Sequence, residues 1–302
     1  MLFLFGPVAL LAAVWGLTAY PKAFLILLWA SGRTGECPFE RVLEVASQTE
    51  LLNQTTAALA AGSQVVESAD GLERWRTPHG DFWAPKETHV AFLLAEQVTR
   101  VYGDGERRVR SGDIVLDCGA NIGAFTWEAL RAGAAKVVAI EPSERNIECL
   151  RRSFRAEIDA GRVVVYPKGV WRETTELVFH EYDNSALDSF VMEERKEDRG
   201  NKVREIRVPV TTIDTIRAEL GLDRVDFIKM DIEGAERHAL AGAAETLSRD
   251  RPRLAIAAEN LDDDQRVIGP AVMSAWSGYT MECGRCWAPN PVTVRPDVFY
   301  FF

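Results

Sequence analysis

The stretch IVLDCGANIG at residues 114–123, followed by VVAIEP at residues 137–142, decides the fold class of this chain. The first apolar, β-branched run ends in Asp117 and turns through glycines into a helical pattern, and the second run ends in Glu141. Apolar runs of this length, joined by a glycine turn and a helix, are typical of the βαβ unit that opens a nucleotide-binding sheet. The stretch therefore predicts a site for a nucleotide-like cofactor.

Length and composition indicate a folded chain with a sizeable core. It has 302 residues, of which 47% are hydrophobic and 26% are charged, and these values suit one or two globular domains. Its formal charge of -10 argues against nucleic acid as a partner, because phosphate binding needs a basic surface. The five cysteines are few and odd in number, so we expect a reducing compartment and no disulfide framework.

The first thirty residues differ in composition from the rest. Between Leu2 and Ala30 the only charged residue is Lys22, and an apolar helix of about 20 residues can cross the hydrocarbon core of a bilayer. Residues 1–32 are therefore predicted to form a membrane anchor, with a cleaved signal peptide or a helix lying on the membrane as alternatives. Positive charge follows the apolar run, which predicts a single-pass or monotopic membrane location with the catalytic domain in the cytoplasm.

The remaining chain divides into an accessory segment and a larger domain. Residues 33–108 predict helices around a hairpin centred on Pro78-His79-Gly80-Asp81. From residue 109 to 302, strands alternate with helices, a pattern that predicts an α/β domain with a doubly wound, mostly parallel sheet. Ligands bind at the carboxyl ends of such strands, and four predicted strand ends carry an acid: Asp117, Glu141, Asp231 and Glu259.

The glycine turn favours one class of cofactor. A dinucleotide fingerprint needs a middle glycine close to the pyrophosphate, and here Asn121 stands in that position. Asp117 would repel a pyrophosphate but could accept a hydrogen bond from an ammonium group, and Glu141 could bind ribose hydroxyls. These residues favour S-adenosylmethionine over NAD, although the same glycines could also serve only to shape a tight turn.

Four motifs in order resemble the FkbM-type family of S-adenosylmethionine-dependent methyltransferases. They are DCGANIG at 117–123, IEP at 140–142, VPVTTID at 208–214 and FIKMDIEGAE at 227–236. The resemblance implies a class I methyltransferase (Rossmann-like) fold of seven strands, with the last one antiparallel, and usually O-methylation. It also implies a donor site in which Glu141 binds ribose and the segment around Val170 lies near adenine; its other members are Asp117, Gly119, Asn121, Gly123 and Pro142.

Methyl transfer needs an aligned acceptor oxygen and a group that removes its proton. Asp231 ends the fourth predicted strand beside the expected methyl position, so we predict it as the main catalytic residue. Glu233 is a second candidate, although Glu233 and Glu236 could instead cap the following helix. We interpret His238 as a surface or packing residue.

Two groups of residues raise the question of a metal ion. Asp231, Glu259 and Asn260 form a set of hard oxygen ligands that suits Mg²⁺, as in catechol O-methyltransferase-like enzymes, although Gly234 here replaces their lysine and Glu259 replaces an aspartate. Cys283-Gly284-Arg285-Cys286 looks like half a zinc site. No second cysteine pair or nearby histidine accompanies it in the sequence, so we interpret it as a loop pair.

These observations predict a membrane-associated, S-adenosylmethionine-dependent methyltransferase. Its acceptor would be a hydroxyl group of a lipid, a saccharide or another small metabolite. Two alternatives remain at this point: a non-catalytic S-adenosylmethionine-binding or structural membrane protein, and an NAD-dependent dehydrogenase.

Overall fold

A computed structural model describes residues 21–193 and 202–302 of the chain. The helices in this part are α1 Pro21–Ala30, α2 Phe39–Ala61, α3 Val90–Val98, α4 Ala124–Arg131, α5 Glu144–Ser153, α6 Arg155–Asp159, α7 Ile213–Glu219, α8 Glu236–Ala241, α9 Ala244–Asp250 and α10 Asp264–Ala275. The strands are β1 Gln64–Ala69, β2 Leu72–Thr77, β3 Gly80–Pro85, β4 Ile114–Cys118, β5 Lys136–Ile140, β6 Val163–Tyr166, β7 Gly169–Val170, β8 Thr175–Tyr182, β9 Ser189–Phe190, β10 Lys202–Thr211, β11 Phe227–Met230, β12 Arg253–Ala257, β13 Met281–Cys283, β14 Cys286–Asn290, β15 Thr293–Pro296 and β16 Val298–Phe301.

The central sheet has seven strands in the order β6-β5-β4-β11-β12-β16-β13. The five strands from β6 to β12 run parallel. β16 runs antiparallel to both of its neighbours, so the sheet is mixed. The predicted α/β class is confirmed. A smaller sheet, β7-β10-β8-β9, lies beyond β6 in the chain and contributes to the candidate site.

Helices cover both faces of the central sheet because successive strand residues point in opposite directions. Leu116 and Ile228 belong to a core with helices α7 to α10. Val115 and Phe227, one residue before them, pack instead against α4. Burial on both faces explains why these strands read as continuous apolar runs and not as alternating ones.

The accessory segment forms a three-stranded antiparallel sheet between α2 and α3. Strands β2 and β3 pair through the turn at Thr77 and Gly80, which confirms the predicted hairpin. The backbone N–H of Trp83 donates to Ser153 Oγ at 2.8 Å. This contact and the packing of Phe82 near Phe154 join the small sheet to the end of α5.

The predicted membrane location is corrected by the described residues. Helix α1 has ten residues, about 15 Å of helix, whereas a bilayer core is about 30 Å thick. Its Leu25 and Leu28 pack in a buried cluster with Val42 and Val45 of α2. In the part that the structure describes, no helix is long and apolar enough to cross a membrane. The prediction for the rest of the 1–32 anchor, residues 1–20, lies outside the described residues.

The cysteines also differ from the expectation of unpaired thiols. Cys37 and Cys286 form a disulfide between residues 249 positions apart. The loop between α1 and α2 is thereby joined to the start of β14. Cys118, Cys149 and Cys283 are free. The local spacing of cysteines does not indicate a disulfide between residues so far apart in the chain, so the sequence pattern did not predict it.

A buried ion pair joins the two central strands. Lys229 of β11 lies in register with Asp117 of β4, and its Nζ is 3.5 Å from Asp117 Oδ1. Asp117 Oδ2 accepts a hydrogen bond from Thr126 Oγ1 at 2.7 Å. Both members of the pair are almost fully buried. Removing one charge would therefore leave the other without compensation in the interior.

We expect Lys229→Met to lower the free energy of unfolding by about 3–5 kcal/mol, because it leaves the Asp117 carboxylate buried and unpaired. Urea denaturation measures the change. The double variant Lys229→Met/Asp117→Asn should recover much of the loss, since neither charge then remains.

Arg155→Met is the matched control, because it breaks an exposed pair with Asp159 at 3.8 Å. Its effect should stay within about 0.5 kcal/mol. A Lys229→Met variant as stable as this control would contradict the role given to the buried pair.

Candidate active site

The turn after β4 is shaped by residues with left-handed backbone. Gly119 has φ +76° and Asn121 has φ +50°. A Cβ on Gly119 would lie 2.1 Å from the backbone oxygen of Asp231. Only glycine allows the turn to pass this close to the end of β11. The two strand ends that the sequence marked with acids are therefore in direct contact.

Glu141 holds this turn with both of its carboxylate oxygens. Oε2 accepts a hydrogen bond from the backbone N–H of Asn121 at 2.8 Å, and Oε1 accepts one from Ser143 at 2.9 Å. Burial raises the pKa of Glu141, while the hydrogen bonds from Ser143 and Asn121 lower it. The side chain also lines the cleft described next.

A cleft opens at the carboxyl ends of the central strands. One wall consists of the turn after β4, with Gly119 and Asn121, and of the residues that follow β5, Glu141 and Pro142. The opposite wall comes from the smaller sheet and includes Val170. The cleft thus brings together most of the predicted donor-site residues, in the position where sheets of this kind bind ligands.

The two walls are joined by a side chain that the sequence had singled out. Asn121 Nδ2 donates to the backbone oxygen of Ser185 at 2.8 Å, and its Oδ1 accepts from the backbone N–H of Ile122 at 2.8 Å. The amide therefore points across the turn to the segment before β9. This use of Asn121 differs from the close backbone approach that a pyrophosphate would need there.

Two predicted donor-site residues do not line the cleft. Asp117 lies beneath the turn, fully buried, because Lys229 and Thr126 hold its carboxylate. The prediction that Asp117 contacts an ammonium group of the cofactor is therefore wrong. Its carboxylate instead supports the glycine turn from below. Gly123 caps α4 with φ +93°, and a Cβ there would meet the Phe154 ring at 2.2 Å.

Acidic side chains gather at the other end of the cleft. Asp231 Oδ2 accepts a hydrogen bond from the Tyr102 hydroxyl at 2.7 Å. Asn260 Nδ2 is 3.4 Å from Asp231 Oδ1. Glu233 has φ +58°, an unusual value for a residue with a side chain, and it lines the cleft beside Asp231.

Glu96 enters the same end of the cleft from helix α3 of the accessory segment. Among the described residues, nothing hydrogen-bonds to its carboxylate. Burial and the nearby carboxylates of Asp231 and Asp297 raise the pKa of Glu96 to about 8, although Arg285 and Lys229 oppose them. With this pKa, the group becomes a carboxylate, the form that accepts a proton, as the pH rises through about 8.

Three functional side chains were missed in the sequence. Lys229 could have been found, because it stands inside the apolar run of β11 and a charged residue is rarely buried without a partner. Nothing near Glu96 or Tyr102 marked them, because their neighbours read as an ordinary helix and loop. Helix α3 packs on α4, and Tyr102 packs on Phe125 of the same helix, so contacts between distant segments bring them to the cleft.

The structure does not support the predicted Mg²⁺ set of Asp231, Glu259 and Asn260. Asn260 directs its amide nitrogen, a donor, toward Asp231 and toward Glu236 Oε1 at 3.1 Å. Within residues 21–193 and 202–302, the group of three or more His, Cys, Asp or Glu residues whose ligand atoms lie within 4.8 Å of one another consists of cysteines. Asn260 therefore presents a hydrogen-bond donor to this set and not a ligand oxygen.

The helix after Asp231 uses its polar residues for structure. Glu236 Oε1 accepts a hydrogen bond from the backbone N–H of Ile232 at 2.9 Å, which closes the loop between β11 and α8. The His238 ring stacks on Trp171 with centroids 4.0 Å apart. The interpretation of His238 as a packing residue is confirmed.

Comparison with known proteins gives relatives of two kinds. The chain is 28% identical over 232 residues to the 31-O-demethyl-FK506 methyltransferase FkbM of Streptomyces tacrolimicus, covering 68% of this chain and 87% of that protein. It is also 28% identical over 163 residues to the AMB antimetabolite synthetase AmbE of Pseudomonas aeruginosa, covering 43% of this chain but 8% of that much longer protein.

Among solved structures, the chain is similar to the methyltransferase FkbM of Methylobacillus flagellatus KT, with 20% identity and a TM-score of 0.49. The match covers 87% of this chain and 62% of that one, so the chain spans less than two thirds of its length. The family model described as the methyltransferase FkbM domain matches residues 117–274, more than half of the chain. The chain therefore belongs to the FkbM methyltransferase family.

Proposed function

We propose that this methyltransferase uses S-adenosylmethionine and transfers the methyl group to a hydroxyl of a small metabolite, a saccharide or a lipid. One observation carries the proposal. A single cleft has the donor turn with Glu141 at one end and Glu96, Tyr102 and Asp231 at the other. A donor and an acceptor held there would meet with acidic groups beside the acceptor.

The donor end fits S-adenosylmethionine in its chemistry. This donor has ribose hydroxyls that a carboxylate can bind, and it has no phosphate that would need a glycine at Asn121. Glu141, Pro142 and Val170 line the wall that would hold it. Gly119 and Gly123 shape the turn through their backbones, and Asp117 supports it from below through Lys229.

The acceptor end supplies a group that can take the proton of a hydroxyl. When bound, the donor provides the activated methyl group and the leaving sulfur. Asp231 is engaged by Tyr102 and lies close to Asn260, whereas Glu96 is held by no hydrogen bond from the described residues. We therefore assign proton acceptance to Glu96 and acceptor positioning to Asp231, with Glu233 lining the same end.

The name of one relative supports oxygen as the acceptor atom. The Streptomyces tacrolimicus protein is named as a methyltransferase of 31-O-demethyl-FK506. Its similarity covers 68% of this chain. We carry over to this chain only the acceptor atom, and leave the identity of the acceptor molecule to screening with labelled donor.

We expect Glu141→Gln to weaken S-adenosylmethionine binding about 10- to 100-fold, because a charged hydrogen-bond acceptor contributes roughly 1.5–3 kcal/mol. Isothermal titration calorimetry measures the affinity. Glu144→Gln is the matched control, since Glu144 is an exposed glutamate at the start of α5. Equal affinity in both variants, or preferential binding of NADH by the wild-type chain, would contradict the donor assignment.

Glu96→Gln should lower kcat about 10²- to 10⁴-fold, the usual contribution of a general base. Since only the carboxylate accepts a proton, the wild-type kcat/KM should rise with pH up to about 8, the pKa of Glu96, and level off above it. Release of S-adenosylhomocysteine from labelled donor, with a hydroxyl acceptor found by screening, measures both quantities.

Glu87→Gln serves as the control for Glu96→Gln, because Glu87 is exposed just before α3. It should leave both the rate and the pH profile unchanged. Retention of the rise toward pH 8 in Glu96→Gln would assign the proton acceptor to another residue. Calorimetry with S-adenosylmethionine should give wild-type affinity for Glu96→Gln, which separates proton transfer from donor binding.

A further inference from the structure

Three cysteine sulfurs meet at one point outside the cleft. Cys37 lies before α2, Cys283 ends β13 and Cys286 begins β14. Their sulfurs all lie within 4.8 Å of one another. Cys37 and Cys286 are joined in the disulfide, and Cys283 Sγ is 3.5 Å from Cys286 Sγ.

The disulfide explains only two of these three sulfurs. Cys283 and Cys286 are separated by two residues, the spacing with which structural zinc sites direct two sulfurs to one ion. The backbone between them lies close to β16, because a Cβ on Gly284 would lie 2.5 Å from the Tyr300 ring. The third sulfur belongs to Cys37, which lies far from this motif in the sequence.

The three sulfurs lie in apolar surroundings, which favour thiolates bound to a metal ion over thiolates that carry an uncompensated charge. Leu25, Val42 and Val294 pack around Cys37 and Cys286 in a buried cluster. Cys283 packs against this cluster and is itself partly buried. A divalent ion binds cysteine as the thiolate and displaces the thiol proton.

We propose that Cys37, Cys283 and Cys286 form a thiolate site for Zn²⁺ when the disulfide is reduced. A dithiol or phosphine reductant supplies the two electrons, and two protons complete the two thiols as the bond between Cys37 and Cys286 breaks. Zn²⁺ then replaces the thiol protons, which leave to solvent. Three protein ligands leave one position of a tetrahedral ion for water.

Such a site would hold together the same elements as the disulfide. It would join the loop before α2 to the turn that carries Arg285, and Arg285 Nε donates to Asp297 Oδ2 at 2.7 Å. Asp297 and Arg285 both act on the pKa of Glu96 in the cleft.

The test uses the full chain, reduced with a phosphine without oxygen and titrated with Co²⁺ as a spectroscopic probe. We expect one equivalent to bind with a thiolate-to-cobalt charge-transfer band, and Zn²⁺ to abolish that band by displacement. The oxidised chain should give no band. Cys283→Ser should lose the band, whereas Cys149→Ala should retain it, since Cys149 is a buried thiol of α5 outside this cluster.

A second measurement needs no variant and so does not depend on its folding. Zn²⁺ should slow alkylation of the three cysteines in the reduced wild-type chain, as read by peptide mass spectrometry. No metal binding by the reduced chain would overturn the proposal, and so would an unchanged band in a folded Cys283→Ser variant. Neither readout depends on methyl transfer.

Discussion

The ammonium group of Lys229 organises both ends of the cleft. It lies 3.5 Å from the Asp117 carboxylate and donates to the backbone oxygen of Gly119 at 2.9 Å, so it supports the glycine turn after β4 from inside the sheet. Asp231 follows two residues later in the chain, and its charge helps to raise the pKa of Lys229 against the effect of burial. One buried cation thus links β4, which leads into the glycine turn, to β11, which leads into Asp231.

The central sheet could be predicted because its signals are local. The runs ending in Asp117 and Glu141 are apolar and β-branched, and they become adjacent parallel strands, β4 and β5. Burial on both faces produces such runs whatever the rest of the chain does. Asn121 and Glu141 were also accessible to prediction, since both belong to the turn itself and meet through a hydrogen bond of 2.8 Å.

The parts that could not be predicted depend on contacts between distant segments. Tyr102 and Asp231 are 129 residues apart, and they meet because the segment after α3 packs on Phe125 of α4 and accepts a hydrogen bond from Tyr300 of β16. The described part of the apolar N-terminal segment, helix α1, differs from the prediction for a related reason. Leu25 and Leu28 are apolar because they pack on Val42 and Val45 of α2, and composition alone does not distinguish a protein neighbour from lipid.

The position of β16 in the sheet matters for folding during synthesis, because β16 follows β12 and β13 in the chain. β16 lies inside the sheet, between β12 and β13, and Phe299 and Phe301 are completely buried. While the ribosome has yet to release residues 298–301, β12 presents an unpaired apolar edge, the kind of surface on which strands from other chains can pair. Among the seven strands of the central sheet, the one that follows the other six in the chain is therefore the one that joins β12 to β13.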